Sequence, residues 1–272
     1  TGQTLAANLD WWETSQRRQE VRARLAEAGI NPDDVIMSAD QARRAGLSST
    51  LIFPVGNLAP EGSVVKATAI APDMIDEAGV YRHRGPARLF TSEEAAIRAI
   101  KGQAEPPIQP GDVIVLIGSG PLGTGMEETL EITLALKFVP WGKTVALLTD
   151  GRFSGVSTGP CIGHIGPEAL AGGPIGKVRD GDIIEIVIDR EKLEGQINLV
   201  SVDGQALPPG AAAAVLAQRP TAPGLKPHPR LPDDTRLWAA LQAASGGAWA
   251  GCIFDVDRIV AVIQAGMKAL GK

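Results

Sequence analysis

Apolar and polar positions change period several times along this chain. Near the start Leu5, Leu9, Trp12, Val21 and Leu25 recur at roughly helical spacing, which predicts a helix over 4–28, capped by Thr4 and ended by Gly29. A second, short helix is expected over 31–46. From Thr50 the period shortens: LIFPVG, SVVKATAI and ARLF are apolar or β-branched runs broken by Gly and Pro, and they predict strands. Residues 92–101 predict a helix capped by Thr91 or Ser92, with acids in its first turn. VIVLI and TVALLT are continuous apolar runs, the pattern of buried strands, and 127–138 between them predicts a helix. GGPIGKVRDGDIIEIVIDREKLEGQINLVSVDG predicts a meander of strands joined at Asp-Gly and Glu-Gly turns. After a Pro-rich stretch, 207–232, two helices are expected over 234–244 and 255–270, separated by SGGAWAG.

Strands outnumber helices in the middle of the chain, helices dominate both ends, and βαβ alternation stops after Asp150. The expected fold is therefore α/β, with a mixed-sheet, β-barrel-like core and peripheral helices. Three regions are expected: a helical linker over 1–48, the barrel domain with its glycine loop over 49–205, and a Pro-rich segment with C-terminal helices over 206–272 packing on that same domain.

Composition narrows the function classes. The net charge is −5 with no basic stripe, which argues against nucleic acid as a partner. No stretch is long and apolar enough to span a bilayer. The two cysteines, Cys161 and Cys252, lie far apart and outside any C-x-x-C, so they build neither a disulfide framework nor a metal knuckle. A reduced, cytoplasmic setting is expected. The start, TGQTLAANLDWW, carries no signal peptide and no initiator Met, so the chain is read as a piece of a longer protein.

Two glycine-rich stretches carry the candidate chemistry. In IGSGPLGTGMEE, Gly118, Gly120 and Gly123 match the G-x-G-x-x-G of dinucleotide-binding folds. The match is poor in detail. Glu127 and Glu128 are expected in the first turn of the following helix, where they would repel a pyrophosphate. Asp150, the acid available for a ribose, falls 27 residues after Gly123, where about 20 is usual. A cation suits the loop better, because Mg²⁺ takes one or two protein carboxylates and keeps waters. The plainer alternative is that both acids only complement the helix dipole.

The second stretch, LLTDGRFSGVSTGPCIGHIGPEA, places a small-residue loop after a buried strand, where amides and hydroxyls approach a ligand closely. Ser154 is a candidate nucleophile or base, although Phe153 before it breaks the G-x-S-x-G elbow. His164 lies ten residues on. Ser154 as a turn residue, and His164 and Cys161 as core packing, are the plainer readings.

These same stretches, with GNLAPEGSVVK, GPARLF and GGPIGKVRDGDIIEIVID, resemble the dihydroxy-acid and sugar-acid dehydratase family over nearly the whole chain. NLDWWETSQRR, GVYRHRGPARLFTSE and LPDDTRLWAALQAASGGAWAGC are most similar to its D-xylonate dehydratase branch. The resemblance implies a rear domain of swivelling β/β/α type. It also implies a front, N-terminal domain as partner, holding an iron–sulfur cluster ([2Fe-2S] or [4Fe-4S]) and most of the Mg²⁺ ligands. In the family's G-M-x-E motif the acid ligates Mg²⁺, which implies Glu128. In its T-D-G-R-F-S-G motif the serine is the base, which implies Ser154. Arg152 is a further candidate. Some members place a Thr two positions after the serine; here that position is Val156, and Ser157 or Thr158 is left to supply the hydroxyl. The cluster cysteines are absent from this chain. The implied activity is dehydration of a sugar acid such as D-xylonate to its 2-keto-3-deoxy acid by a homo-oligomer, with this chain alone inactive. A branched-chain dihydroxy-acid dehydratase, a non-catalytic docking domain and a nucleotide-binding oxidoreductase are the alternatives.

Overall fold

A computed structural model of the chain describes residues 2–35, 37, 39–45, 50–247 and 253–271. Cys252 and most of the SGGAWAG connection lie outside the described residues. The chain divides into two compact units, Thr1–Ser48 and Ser49–Lys272.

The first unit is helical: α1 (Leu5–Thr14), α2 (Gln16–Glu27), α3 (Pro32–Val35) and α4 (Ala39–Arg44). The single helix expected over 4–28 is two. Ser15 takes extended backbone (φ −68°, ψ 142°), and its hydroxyl accepts from the Arg18 amide at 3.3 Å, so it ends one helix and caps the next. Thr4 caps α1 as expected, accepting from the Ala7 amide at 3.2 Å.

The second unit runs β1 (Leu51–Ile52), β2 (Gly62–Lys66), β3 (Val80–Phe90), α5 (Glu93–Ile100), β4 (Val113–Leu116), α6 (Pro121–Thr124), α7 (Leu130–Lys137), β5 (Ala146–Thr149), β6 (Cys161–Gly166), β7 (Ile183–Asp189), β8 (Glu194–Val202), β9 (Gln205–Ala206), α8 (Ala211–Gln218), α9 (Asp233–Ala244) and α10 (Val256–Ala269). The strands form one mixed sheet in the order β1-β2-β6-β5-β4-β3-β7-β8-β9. β3, β4, β5 and β6 are parallel neighbours, and every other pairing is antiparallel.

The two halves of the sheet bury their side chains differently. Along β4, Val113 and Val115 face the inner core with Leu148, Ile162, Ile184, Ile186 and Ile197. Ile114 and Leu116 face the other way, under Ala96 and Ile100 of α5 and Ile132 and Leu136 of α7. Both faces are dry, which is why VIVL is apolar throughout. In β7, by contrast, only alternate residues, Ile184, Ile186 and Ile188, are buried. The sheet curls until its ends meet. The Val55 amide donates to the Gly195 carbonyl at 3.1 Å, and the Ile197 amide donates to the Val55 carbonyl at 2.9 Å. Asn57 continues this seam with its side chain, accepting from the Leu199 amide at 2.8 Å and donating to the Leu199 carbonyl at 3.1 Å. The barrel-like α/β core is as expected.

Several elements differ from the sequence reading. CIGHIG, which the sequence reading assigned to no element, is a central strand, β6; small residues and two strand partners hide its pattern. Glu194-Gly195 lies inside β8, and the β7–β8 turn precedes it, with Leu193 at φ 59°. Asp203-Gly204 does form a hairpin turn, both residues having positive φ. The Pro-rich tail contains a helix, α8, and Arg219 after it forms a two-pronged ion pair with buried Asp182.

A Cβ added at Gly56 would stand 2.1 Å from the Ile197 carbonyl oxygen. Gly56→Ala should therefore spread the seam and lower stability by roughly 1–3 kcal/mol, measured by denaturant unfolding.

Candidate functional site

β4 and β5 are adjacent and parallel, and both run out into loops at their C-terminal ends, the usual place for a ligand site in such a sheet. Residues 117–129 follow β4 and 150–160 follow β5. Asp150, the first residue after β5, is 2% exposed. Its carboxylate accepts from the amides of Gly118 (3.1 Å), Ser119 (2.9 Å) and Ala169 (3.0 Å). Burial pushes this carboxyl above its ordinary range while the three amides pull it back. Its oxygens are taken up inside the protein, so Asp150 is a brace for the glycine loop and not a ribose acceptor.

The loop then folds on itself. A Cβ at Gly123 would stand 1.9 Å from the Gly118 carbonyl oxygen, which explains the glycine without any phosphate. Met126 adopts φ 68°. This turns the chain out of helix, so α7 starts at Leu130 and Glu131, not Glu127 or Glu128, sits in its first turn. The expected helix over 127–138 is thus shorter at its start. The helix-dipole reading of Glu127 and Glu128 fails with it.

The residues freed from the helix knit the two loops together. Glu128 and Arg152 form a parallel bridge, the Thr129 amide donates to the Arg152 carbonyl at 2.9 Å, and the Arg152 amide donates to the Glu127 carbonyl at 3.3 Å. The Arg152 side chain reaches back: Nε donates to the Met126 carbonyl at 2.7 Å, and a terminal nitrogen lies 3.8 Å from the Glu128 carboxylate. Both side chains are partly in water, at 53% and 36% exposure, so this pair contributes at most about 1 kcal/mol. It leaves Glu128 able to exchange Arg152 for another cation.

Ser154 lies two residues beyond this bridge, half-buried, its Oγ accepting from the Val156 amide at 3.3 Å. The Ser157 amide donates to the Ser154 carbonyl at 3.0 Å, closing a tight turn. Ser157 is 3% exposed, and its hydroxyl has no hydrogen-bond partner among the described residues. Val156 and Thr158 are exposed. Lys66 at the end of β2 donates through Nζ to the Gly155 carbonyl, adding a cation beside Ser154 that sequence reasoning missed. Only tertiary structure brings β2 here, so no local signal marked it.

His164 sits in β6 with φ 54°, edge-on to Phe153 at 6.0 Å. Burial first, and then the Arg152 charge, hold its imidazole below the ordinary value, so it is neutral at pH 7. It lines a cavity of about 640 Å³ with Met126, Leu122, Phe53 and Glu168. A second cavity, about 290 Å³, lies on the other side of the glycine loop between Glu127 and Glu128 and the tail residues Lys226 and His228. Cys161 is buried, and burial pushes its thiol up to about 12.

Two outcomes follow. Asn at 150 offers one acceptor where two oxygens serve three amides, so Asp150→Asn should cost roughly 1–3 kcal/mol, read by denaturant unfolding. Glu168 is held up at about 7 by burial and by Asp150, against the Leu122 amide that lowers it. The folded chain then keeps a proton that the unfolded chain releases near 4.5. Between those pH values stability falls as pH rises. The melting temperature should drop from pH 5 to pH 7, and Glu168→Gln should flatten that drop.

The family model described as dihydroxy-acid/6-phosphogluconate dehydratase C-terminal matches residues 34–219. The chain is 58% identical over its whole length to D-xylonate dehydratase YagF of Escherichia coli (strain K12), covering 41% of that protein. It is 57% identical over 97% of its length to D-xylonate dehydratase YjhG of the same strain, covering 40%. A dihydroxy-acid dehydratase of Moorella thermoacetica is 54% identical over 51% of the chain and 24% of the relative. The chain thus spans about two fifths of the two relatives that match it end to end. With a model matched over more than half of its residues and its motifs gathered on one pair of loops, this chain belongs to the dihydroxy-acid/6-phosphogluconate dehydratase family, as its C-terminal domain.

Proposed function

We propose that the protein carrying this chain dehydrates a sugar acid of the D-xylonate class to its 2-keto-3-deoxy acid, and that Ser154 and Glu128 are this domain's contribution to the chemistry. One observation carries the reading: the Glu128–Arg152 bridge lays the two glycine-rich loops side by side, with Ser154 two residues further on. The 58% identity to a D-xylonate dehydratase supports that substrate over a branched-chain dihydroxy acid.

Ser154 acts as the base. A serine hydroxyl is a poor base unless its alkoxide is stabilised, and here the Val156 amide points at Oγ while Arg152 and Lys66 flank the loop. The alkoxide removes the C2 proton, the electron pair forms the C2–C3 double bond, and the C3 hydroxyl leaves as water on taking a proton, the resulting Ser154 hydroxyl giving up its own to restore the alkoxide. The enol so formed tautomerises to the 2-keto acid. Arg152 and Ser157 or Thr158 contact the substrate's oxygens.

Glu128 fits as one oxygen ligand of Mg²⁺, being a partly exposed carboxylate whose ion pair with Arg152 is long. The metal would neutralise the substrate's carboxylate and C2 oxygen and so make the C2 proton more acidic. Among the described residues no group of three His, Cys, Asp or Glu could hold a metal, and on this reading an N-terminal domain supplies the remaining ligands. Cys161, the one cysteine among the described residues, is buried in β6 with no second thiol beside it to share a cluster. The cluster is assigned to that N-terminal domain.

In the full-length protein, Ser154→Ala should cut D-xylonate turnover by roughly 10²–10⁴-fold with the melting temperature unchanged. Turnover near wild type would remove Ser154 from the role. Glu128→Gln should move the Mg²⁺ activation midpoint to higher concentration, and an unmoved midpoint would refute the assignment. The domain alone should show no turnover.

A further inference from the structure

Glu168 is a half-buried acid for which the chemistry above has no use, and its contacts are specific. Both of its carboxylate oxygens accept from the Leu122 amide, at 3.1 and 3.0 Å. They reach it because residue 120 is glycine: a Cβ there would stand 2.3 Å from Glu168 Oε2. The Glu168 carbonyl accepts from the amides of Ala171 (3.1 Å) and Gly173 (2.9 Å), fixing the turn from which the side chain projects. The Asp150 oxygen that takes the Gly118 amide also takes the amide of Ala169, the neighbour of Glu168. The glycine loop is thus held at its start by Asp150 and at its middle by Glu168, and the two holds are tied through Ala169. From Leu122 the chain has only the short way to Met126, whose carbonyl is gripped by Arg152, and then to Glu128. A slip at Leu122 carries Glu128 with it.

We propose that Glu168 is a positioning residue: its grip on the Leu122 amide sets the register in which the glycine loop presents Glu128 to the Arg152–Ser154 loop. The consequence for metal binding rests on the reading of Glu128 as a Mg²⁺ ligand. Glu168 faces Asp150 on one side, and His164 and Glu61 across the cavity they share.

The test uses the full-length protein with Glu168→Ala, Glu168→Gln and Gly120→Ala, followed by hydrogen exchange of residues 118–128 and by Mg²⁺ titration of activity. Glutamine keeps an acceptor for the Leu122 amide; alanine does not. Glu168→Ala should speed loop exchange at least about tenfold with 113–116 unchanged, and raise the Mg²⁺ midpoint roughly ten- to a hundredfold. Glu168→Gln should stay close to wild type in both. Gly120→Ala, which displaces the carboxylate without removing it, should behave like Glu168→Ala and carries the test if that variant does not fold. Wild-type exchange in Glu168→Ala, or equal damage from Gln and Ala, would overturn the proposal. If Glu168→Ala frees the loop while Glu128→Gln leaves the Mg²⁺ midpoint unmoved, the positioning role stands and the metal reading falls.

Discussion

A buried carboxylate at the end of β5 holds this site together. The amides of Gly118 and Ser119 leave the sheet where β4 ends, and they need an acceptor in a place largely closed to water. Asp150 supplies it from the adjacent strand, and the same oxygen pair reaches Ala169 beyond β6. Three segments that are far apart in sequence are thereby fixed to one side chain. Removing it would leave buried donors unpaired, which costs more than the bonds themselves contribute. Glycine at 151 belongs to the same constraint: a Cβ there would stand 2.7 Å from that of Ser119.

The brace works because the sheet on either side of it is stiff. β4 and β5 are buried on both faces, with the barrel core on one side and α5 and α7 on the other. Their ends are therefore fixed points, and loops leaving them diverge only as far as their own backbone bonds allow. The antiparallel arm, β7 to β9, has one dry face and serves instead to curl the sheet back onto the 55–58 segment. Shape and site are separable in this fold: one half of the sheet closes the barrel and the other aims the loops.

Charge at the mouth is arranged loosely by comparison. Asp182 and Arg219 form a nearly buried two-pronged pair that secures the tail. Glu128 and Arg152 meet at longer range and in partial contact with water. Breaking the first pair strands a buried charge, whereas the second exchanges partners at little cost. The cation-ligand role proposed for Glu128 is better served by the second arrangement.

Much of this was legible in the chain. VIVLI and TVALLT announced two-face burial, Thr4 and Ser92 announced caps, and the two glycine-rich stretches announced the loops. Local chemistry decides these features, so local sequence reports them. Sequence reading went wrong where a distant partner prevailed over local preference. Glu127 and Glu128 resemble the first turn of a helix, but bonding to the Arg152 loop draws them out of it. CIGHIG lacks a strand's usual bulk, but lies between β2 and β5. That Asp150 braces amides, that Lys66 stands by Ser154 and that Glu168 grips Leu122 are facts of the folded chain alone. Each depends on which strand lies beside which, and strand order is fixed by burial over the whole sheet, a sum that no short stretch of residues contains.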